Sequence, residues 1–296
     1  MLAALLLAAL GAEAASFGSS AVGTTAAGFL DLGAGARAIG MGSAYSSVAD
    51  EASALYWNPA AMTQVQNRSA TLMHAAYIAS SFYDYGSYVQ NTQKYGAFGV
   101  GLQYFSFGSV NETDANFNPI GTVTPYDLAA SVGYAYKFED GFALGLAGKY
   151  IQSKLADTAH TEAADFGILS PRFIDDRLRL AVMAQNVGGT LKYDQVKESL
   201  PMAFKAGASF RILPNWLAAV DAAAPKGGSP YVNAGTEYIL AAGDSWHFAG
   251  RAGFSSQDDS PSVGIGVECK GMSVDYAFVP YNDLGDVHRI SLTFNF

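Results

Sequence analysis

Charge, cysteine and long apolar runs are all scarce in this chain. Only 15% of its 296 residues are charged, against about 25% in a typical soluble domain, while 50% are hydrophobic. One cysteine, Cys269, excludes an internal disulfide framework. A net charge of −9 without Lys/Arg clusters argues against nucleic-acid binding and against docking to an anionic surface. The one long uninterrupted apolar stretch, Leu2 to Leu10, is shorter than the ~20 residues a membrane helix needs. A membrane location therefore implies a closed barrel, the other way to satisfy every backbone group in lipid.

Catalytic and cofactor motifs are missing too. There is no Gly-x-Ser-x-Gly elbow, no His-Glu-x-x-His and no complete phosphate loop. His74, His160, His247 and His288 are scattered without metal-ligand spacing. Gly33-Ala34-Gly35-Ala36-Arg37-Ala38 loosely matches a dinucleotide fingerprint but follows no convincing strand, so its glycines are read as backbone packing residues. Neither an enzyme nor a cofactor is expected.

Leu2 to Leu10 fits the apolar core of a secretory signal, with Ala12-Glu13-Ala14 as cleavage site and Ala15 as the expected mature start. The positive leading region of such signals is missing after Met1, which points to an upstream or trimmed start. The expected organisation is a signal peptide over 1–14, an N-terminal segment and hatch over 15–67, and a barrel over 68–296.

From Arg68 onward, alternating segments are separated by Gly, Pro, Asn, Asp and Ser clusters, the hairpin punctuation of an all-β chain. Fourteen segments start near Arg68, Ser80, Lys94, Val123, Gly141, Thr161, Arg177, Leu200, Asn215, Ser229, Asp244, Pro261, Gly271 and Gly285. Tyr126, Leu128, Ala130, Val132, Tyr134 and Tyr136 oppose Asp127, Ser131, Gly133 and Lys137; Ile290, Leu292, Phe294 and Phe296 oppose Arg289, Ser291, Thr293 and Asn295. Periodicity alone fits a soluble sandwich as well as a membrane barrel. Tyr134, Tyr136, Trp216, Tyr238 and Trp246 near the ends of apolar faces favour interfacial girdles and the barrel. The expected fold is an all-β, transmembrane antiparallel β-barrel of about fourteen strands.

Residues 25–66 lack this alternation and are rich in Gly and Ala. Asp50 is expected to cap a short helix through Tyr56, and Asn58-Pro59 to open a second after an extended Trp57-Asn58 link. This stretch reads as a small hatch inside the lumen. Asp127, Lys137, Lys149, Lys205, Arg211, Asp221, Glu237, Arg251, Glu268, Asp275 and Arg289 are expected to face that lumen. They suit either a solute-selective lining or, preferably, a network clamping the hatch, with Arg37, Asp50 and Glu51 as its hatch members.

The segment from Phe29 through Arg37, Gly40 and Gly42 to Ala44, followed by Asp50-Glu51-Ala52-Ser53-Ala54-Leu55-Tyr56-Trp57-Asn58-Pro59-Ala60, resembles the amino-terminal signature of the PorV/PorQ family. That family is similar to the FadL outer-membrane transporters, which carry a like motif in a plug inside a fourteen-stranded barrel. The resemblance implies a Gram-negative outer-membrane location and a role in type IX protein secretion with a translocon and cargo as partners. Its alternative is a FadL-like passive channel for hydrophobic small molecules. The final strand ending on Phe296 resembles those of bacterial outer-membrane barrels, which the barrel-assembly machinery reads; outer-membrane lipid is the implied surrounding.

Overall fold

The computed structural model describes residues 25–77, 80–114, 116–155, 157–193, 196–281 and 285–296. The expected signal peptide lies outside them. Fourteen antiparallel strands form a closed wall. It begins with β1 (Arg68–Ala76), β2 (Phe82–Asn91) and β3 (Ala97–Ser106), and a hairpin of β4 (Val110–Thr113) and β5 (Pro119–Val123) then stands outside it. The wall continues with β6 (Tyr126–Lys137), β7 (Ala143–Lys154), β8 (Thr158–Leu169) and β9 (Leu178–Val187). A second hairpin, β10 (Thr190–Tyr193) and β11 (Val196–Ser199), precedes β12 (Ala203–Leu213), β13 (Trp216–Pro225) and β14 (Tyr231–Ala242). β15 (Trp246–Ser255), β16 (Ser260–Cys269), β17 (Met272–Tyr281) and β18 (Gly285–Asn295) complete it. β18 pairs back onto β1, from Ser69 opposite Asn295 to Ala76 opposite His288, so the wall has no free edge.

All fourteen starts inferred from the alternation lie within 3 residues of a wall strand's first residue. The two extra hairpins were not expected.

Burial orients the wall. Val100, Val132, Leu146, Val263, Ile265 and Ile290 are about half exposed or more, whereas Lys149, Asp165, Asp221, Glu237, Asp275 and Arg289 are at most 5% exposed. Large apolar side chains outside and charges inside invert a soluble protein's arrangement, as a lipid-facing barrel requires. The two longest connections, 107–125 and 188–202, leave the same end of the barrel. The opposite end has the tight connections 214–215, 243–245 and 270–271. Outer-membrane barrels keep short turns in the periplasm and long loops outside.

Residues 26–65 fill the lumen and contribute much of one buried cluster. They form a 3-10 turn at Gly28–Asp31, short helices at Ala36–Gly40 and Ala54–Trp57, and a 3-10 helix at Pro59–Gln64. Tyr56 and Trp57 pack edge to face at 5.0 Å, and Tyr45 meets Trp57 at 5.9 Å. Trp57 Nε1 donates to the Ala34 carbonyl at 2.7 Å and the Tyr56 hydroxyl to the Leu30 carbonyl at 2.9 Å. Two details differ from expectation. Asp50 caps no helix, since Ser53 occupies that N-cap, without a side-chain bond, and Arg37 draws the Asp50 carboxylate away. Trp57 is helical, leaving only Asn58 extended, at φ −166°.

Candidate functional site

The hatch sits against the wall at backbone distance because inward wall positions are glycine. An ideal Cβ on Gly145 would lie 2.2 Å from Ala60 N, and one on Gly253 2.1 Å from Gly42 N. On Gly235 it would meet the Met41 carbonyl oxygen at 2.1 Å. These are seats for the two ends of the hatch, and Gly40 and Gly42 provide the same closeness from the hatch side, against Gly264 and Phe254. Gly42 adopts φ 63°, where any side chain would add strain.

Hydrogen bonds lock the seats. Asn58 is fully buried; its Oδ1 accepts from Ala60 N at 3.0 Å, as an N-cap before Pro59 should, and its Nδ2 donates to the carbonyls of Ser46 and Ile168 at 3.1 and 3.3 Å. Asp221 on β13 accepts from Tyr45 N and Ser46 N at 3.1 and 2.9 Å. On the other side, Ala36 N donates to Ser291 Oγ and Ala52 N to Ser69 Oγ. Gln185 Nε2 reaches the Tyr56 carbonyl at 2.8 Å.

A charged network joins hatch to wall. Glu237 on β14 receives Arg37 in a bidentate pair, 2.8 Å at both oxygens, and Arg251 Nε at 2.7 Å. Arg251 also holds Asp275 at 2.6 Å, and Arg37 holds Asp50 at 2.6 Å with Glu51 3.9 Å away. Glu237 is 2% exposed, so its bonds to Arg37 and Arg251 act in a desolvated setting, where losing one partner is costly, whereas the Asp50 carboxylate is half exposed. Glu51, also buried, receives the Ser53 hydroxyl at 3.0 Å. Burial pushes its carboxyl up to about 7, more than the Arg37 charge pulls it down.

The other expected lumen charges divide by depth. Lys149 pairs with Asp165 at 2.7 Å and donates to Asn186 at 2.7 Å. Arg289 donates to the Leu32 carbonyl and to the Tyr77 hydroxyl. Lys205 lies 5.8 Å over the Trp57 ring, and Asp127 stands opposite Ser153 on β7. Arg211, Glu268 and Lys137 share the inward register but lie exposed toward the short-turn rim, outside the network. Phe296 is also at that rim, 68% exposed, its N–H bonded to the Arg68 carbonyl at 2.9 Å. Sequence reasoning missed Asp165, Asn186, Arg179 and Gln64. Asp165 was findable, since it shares a two-residue period with Ala159 and Ala163 on β8.

Three cavities open at the short-turn end. The largest, about 560 Å³, is lined by Arg37, Glu51, Glu237, Arg251, Glu268 and Asp275 among others. Two smaller ones, about 110 and 340 Å³, share Asp50 and Arg172. Among the described residues, no group of acidic, histidine and cysteine side chains is arranged to hold a metal.

Comparison with known proteins agrees with this architecture. The family model described as type IX secretion system protein PorV matches residues 16–223. Among solved structures, the Ralstonia pickettii toluene transporter TbuX aligns with TM-score 0.60 at 14% identity, covering 89% of this chain and 98% of that one. The Pseudomonas putida toluene transporter TodX gives 0.61 at 13%, covering 89% and 98%. A Pseudomonas aeruginosa FadL homologue gives 0.54 at 11%, covering 86% and 96%. At such identities the likeness shows the fold alone. No curated protein matches the chain. The molecule is an outer-membrane β-barrel with a plugged lumen.

Proposed function

We propose, from the premise that this chain belongs to the PorV family of type IX secretion system proteins, that it is a non-enzymatic barrel serving protein export as a partner of a translocon or its cargo. The observation that carries this reading is the fixity of the hatch. Backbone seated on glycine at Gly145, Gly235 and Gly253, together with the Arg37–Glu237–Arg251 pairs, suits a plug that shapes a docking surface rather than one that swings aside. On this reading Arg37, Gly40, Gly42, Asp50, Ser53, Trp57, Asn58 and Pro59 maintain the plug. Phe296 marks the last strand for the assembly machinery of a Gram-negative outer membrane, reached by way of an N-terminal signal.

The second reading is a passive channel for hydrophobic small molecules. It is favoured by the barrel's likeness to two toluene transporters. The charged lining of the three short-turn cavities suits it less well than it suits a partner. A deletion strain separates the two. Loss of cargo at the cell surface with unchanged entry of toluene supports export; intact secretion with lost toluene entry replaces it with the channel.

A further inference from the structure

The short-turn end carries positive charge that the hatch network does not use. Arg179, near the start of β9, stands opposite Ser209 of β12, and Arg211 lies two residues further along the same face of β12. Arg172, in the connection 170–177, lines both smaller cavities: the first with Arg211, the second with Arg179 and Lys137. Among the described residues none of these four cations has a carboxylate within 4.0 Å. Arg179 donates one N–H to Gln64 Oε1, while its Nε is buried without a partner. Burial and the neighbouring Arg211 push the Arg172 guanidinium below its ordinary range. Asp50, the carboxylate common to both cavities, is already held by Arg37 at 2.6 Å.

Arg172 and Arg179 are half-buried neighbours, and the unpaired buried N–H of Arg179 is costly until an acceptor enters, while Arg211 and Lys137 border the same cavities from the exposed rim. Two cavities, of about 110 and 340 Å³, lie to either side of Arg172 and Asp50, which line both, along the hatch rim. An extended chain with carboxylates at intervals fits that shape and charge better than one compact anion, and the short-turn ends of outer-membrane barrels lie in the periplasm. We propose that this groove binds an acidic, extended peptide segment of a periplasmic protein, its carboxylates paired by Arg172, Arg179 and Arg211. That the segment belongs to an export partner or cargo rests on the function proposed above.

The test uses the full chain folded in detergent and fluorescence anisotropy of a labelled poly-glutamate peptide. Saturable binding is expected, weakened by salt and by about tenfold for each of R172Q and R211Q. The variants keep the heat-dependent gel mobility of a folded barrel. K94Q, which removes a charge from the same end without lining either cavity, leaves binding unchanged. Absence of saturable binding, or equal weakening by K94Q, overturns the proposal. So does displacement by inorganic phosphate with affinity independent of peptide length, which would make the groove a small-anion site. If R172Q/R211Q abolishes peptide binding but cells carrying it secrete cargo normally, the groove stands and its link to export fails.

Discussion

Two glycines three residues apart on β7 have opposite fates when given a methyl group. An ideal Cβ on Gly145 lies 2.2 Å from Ala60 N, 2.3 Å from the Pro59 carbonyl carbon and 2.7 Å from Ala60 Cα. All three are backbone, so no side chain can rotate away, and the hatch must retreat by about 1 Å; overpacking of this kind costs about 1–3 kcal/mol. Gly148 points the other way, with nothing within 4 Å of its ideal Cβ, and alanine there is neutral or stabilising by up to about 1 kcal/mol. Gly253 and Gly250 on β15 form a second such pair, with Gly253 2.1 Å from Gly42 N and Gly250 open. Hydrogen exchange of the hatch amides is the assay. G145A should accelerate exchange of the amides of residues 60–64 by about 5- to 150-fold, with the wall strands unchanged, and G148A should not. Equal exchange in G145A and G148A would refute the seating of the hatch on bare backbone.

E237Q removes the charge that Arg37 and Arg251 share and should destabilise hatch docking by about 3 kcal/mol, read as faster exchange in Ala36–Gly40 while the barrel keeps its mobility on unboiled gels. Glu51 adds a pH dependence with a definite sign. Its folded value, about 7, is raised above the ordinary 4.5 of a glutamate, so the folded hatch binds the extra proton between those limits and loses stability as pH rises through that window. Hatch exchange, corrected for intrinsic rate, should therefore be slower at low pH than above neutrality, and E51Q should flatten the difference. Deleting Phe296, which is largely exposed, should leave the unfolding temperature of refolded barrel nearly unchanged but reduce its insertion in cells; equal amounts in the outer membrane would contradict the assembly role.

The wall was legible because a lipid-facing barrel imposes one rule, alternation in every strand, and segments such as Tyr126–Lys137 obey it as far as Tyr136. The β4–β5 hairpin escaped because its residues are exposed on both faces, so no alternation marks it. Its register also shifts between Glu112 and Thr113. In the hatch, Asn58-Pro59 was readable since capping is local. The role given to Asp50 was not, because Arg37, 13 residues away in sequence, competes for its carboxylate. Membership of the inward face followed from parity, but depth did not. Glu237 and Glu268 share that face, yet only Glu237 lies where Arg37 can reach it, and Arg179 was hidden at the first inward position after a turn.

The proposed function requires a hatch that acts as a fixed plug. Its most direct test is surface delivery of cargo by cells whose only copy carries an engineered disulfide between hatch and wall. Delivery at the wild-type level, whether the disulfide is oxidised or reduced, is the predicted result. Delivery lost on oxidation and restored by reduction would show that the hatch must move, and would contradict it.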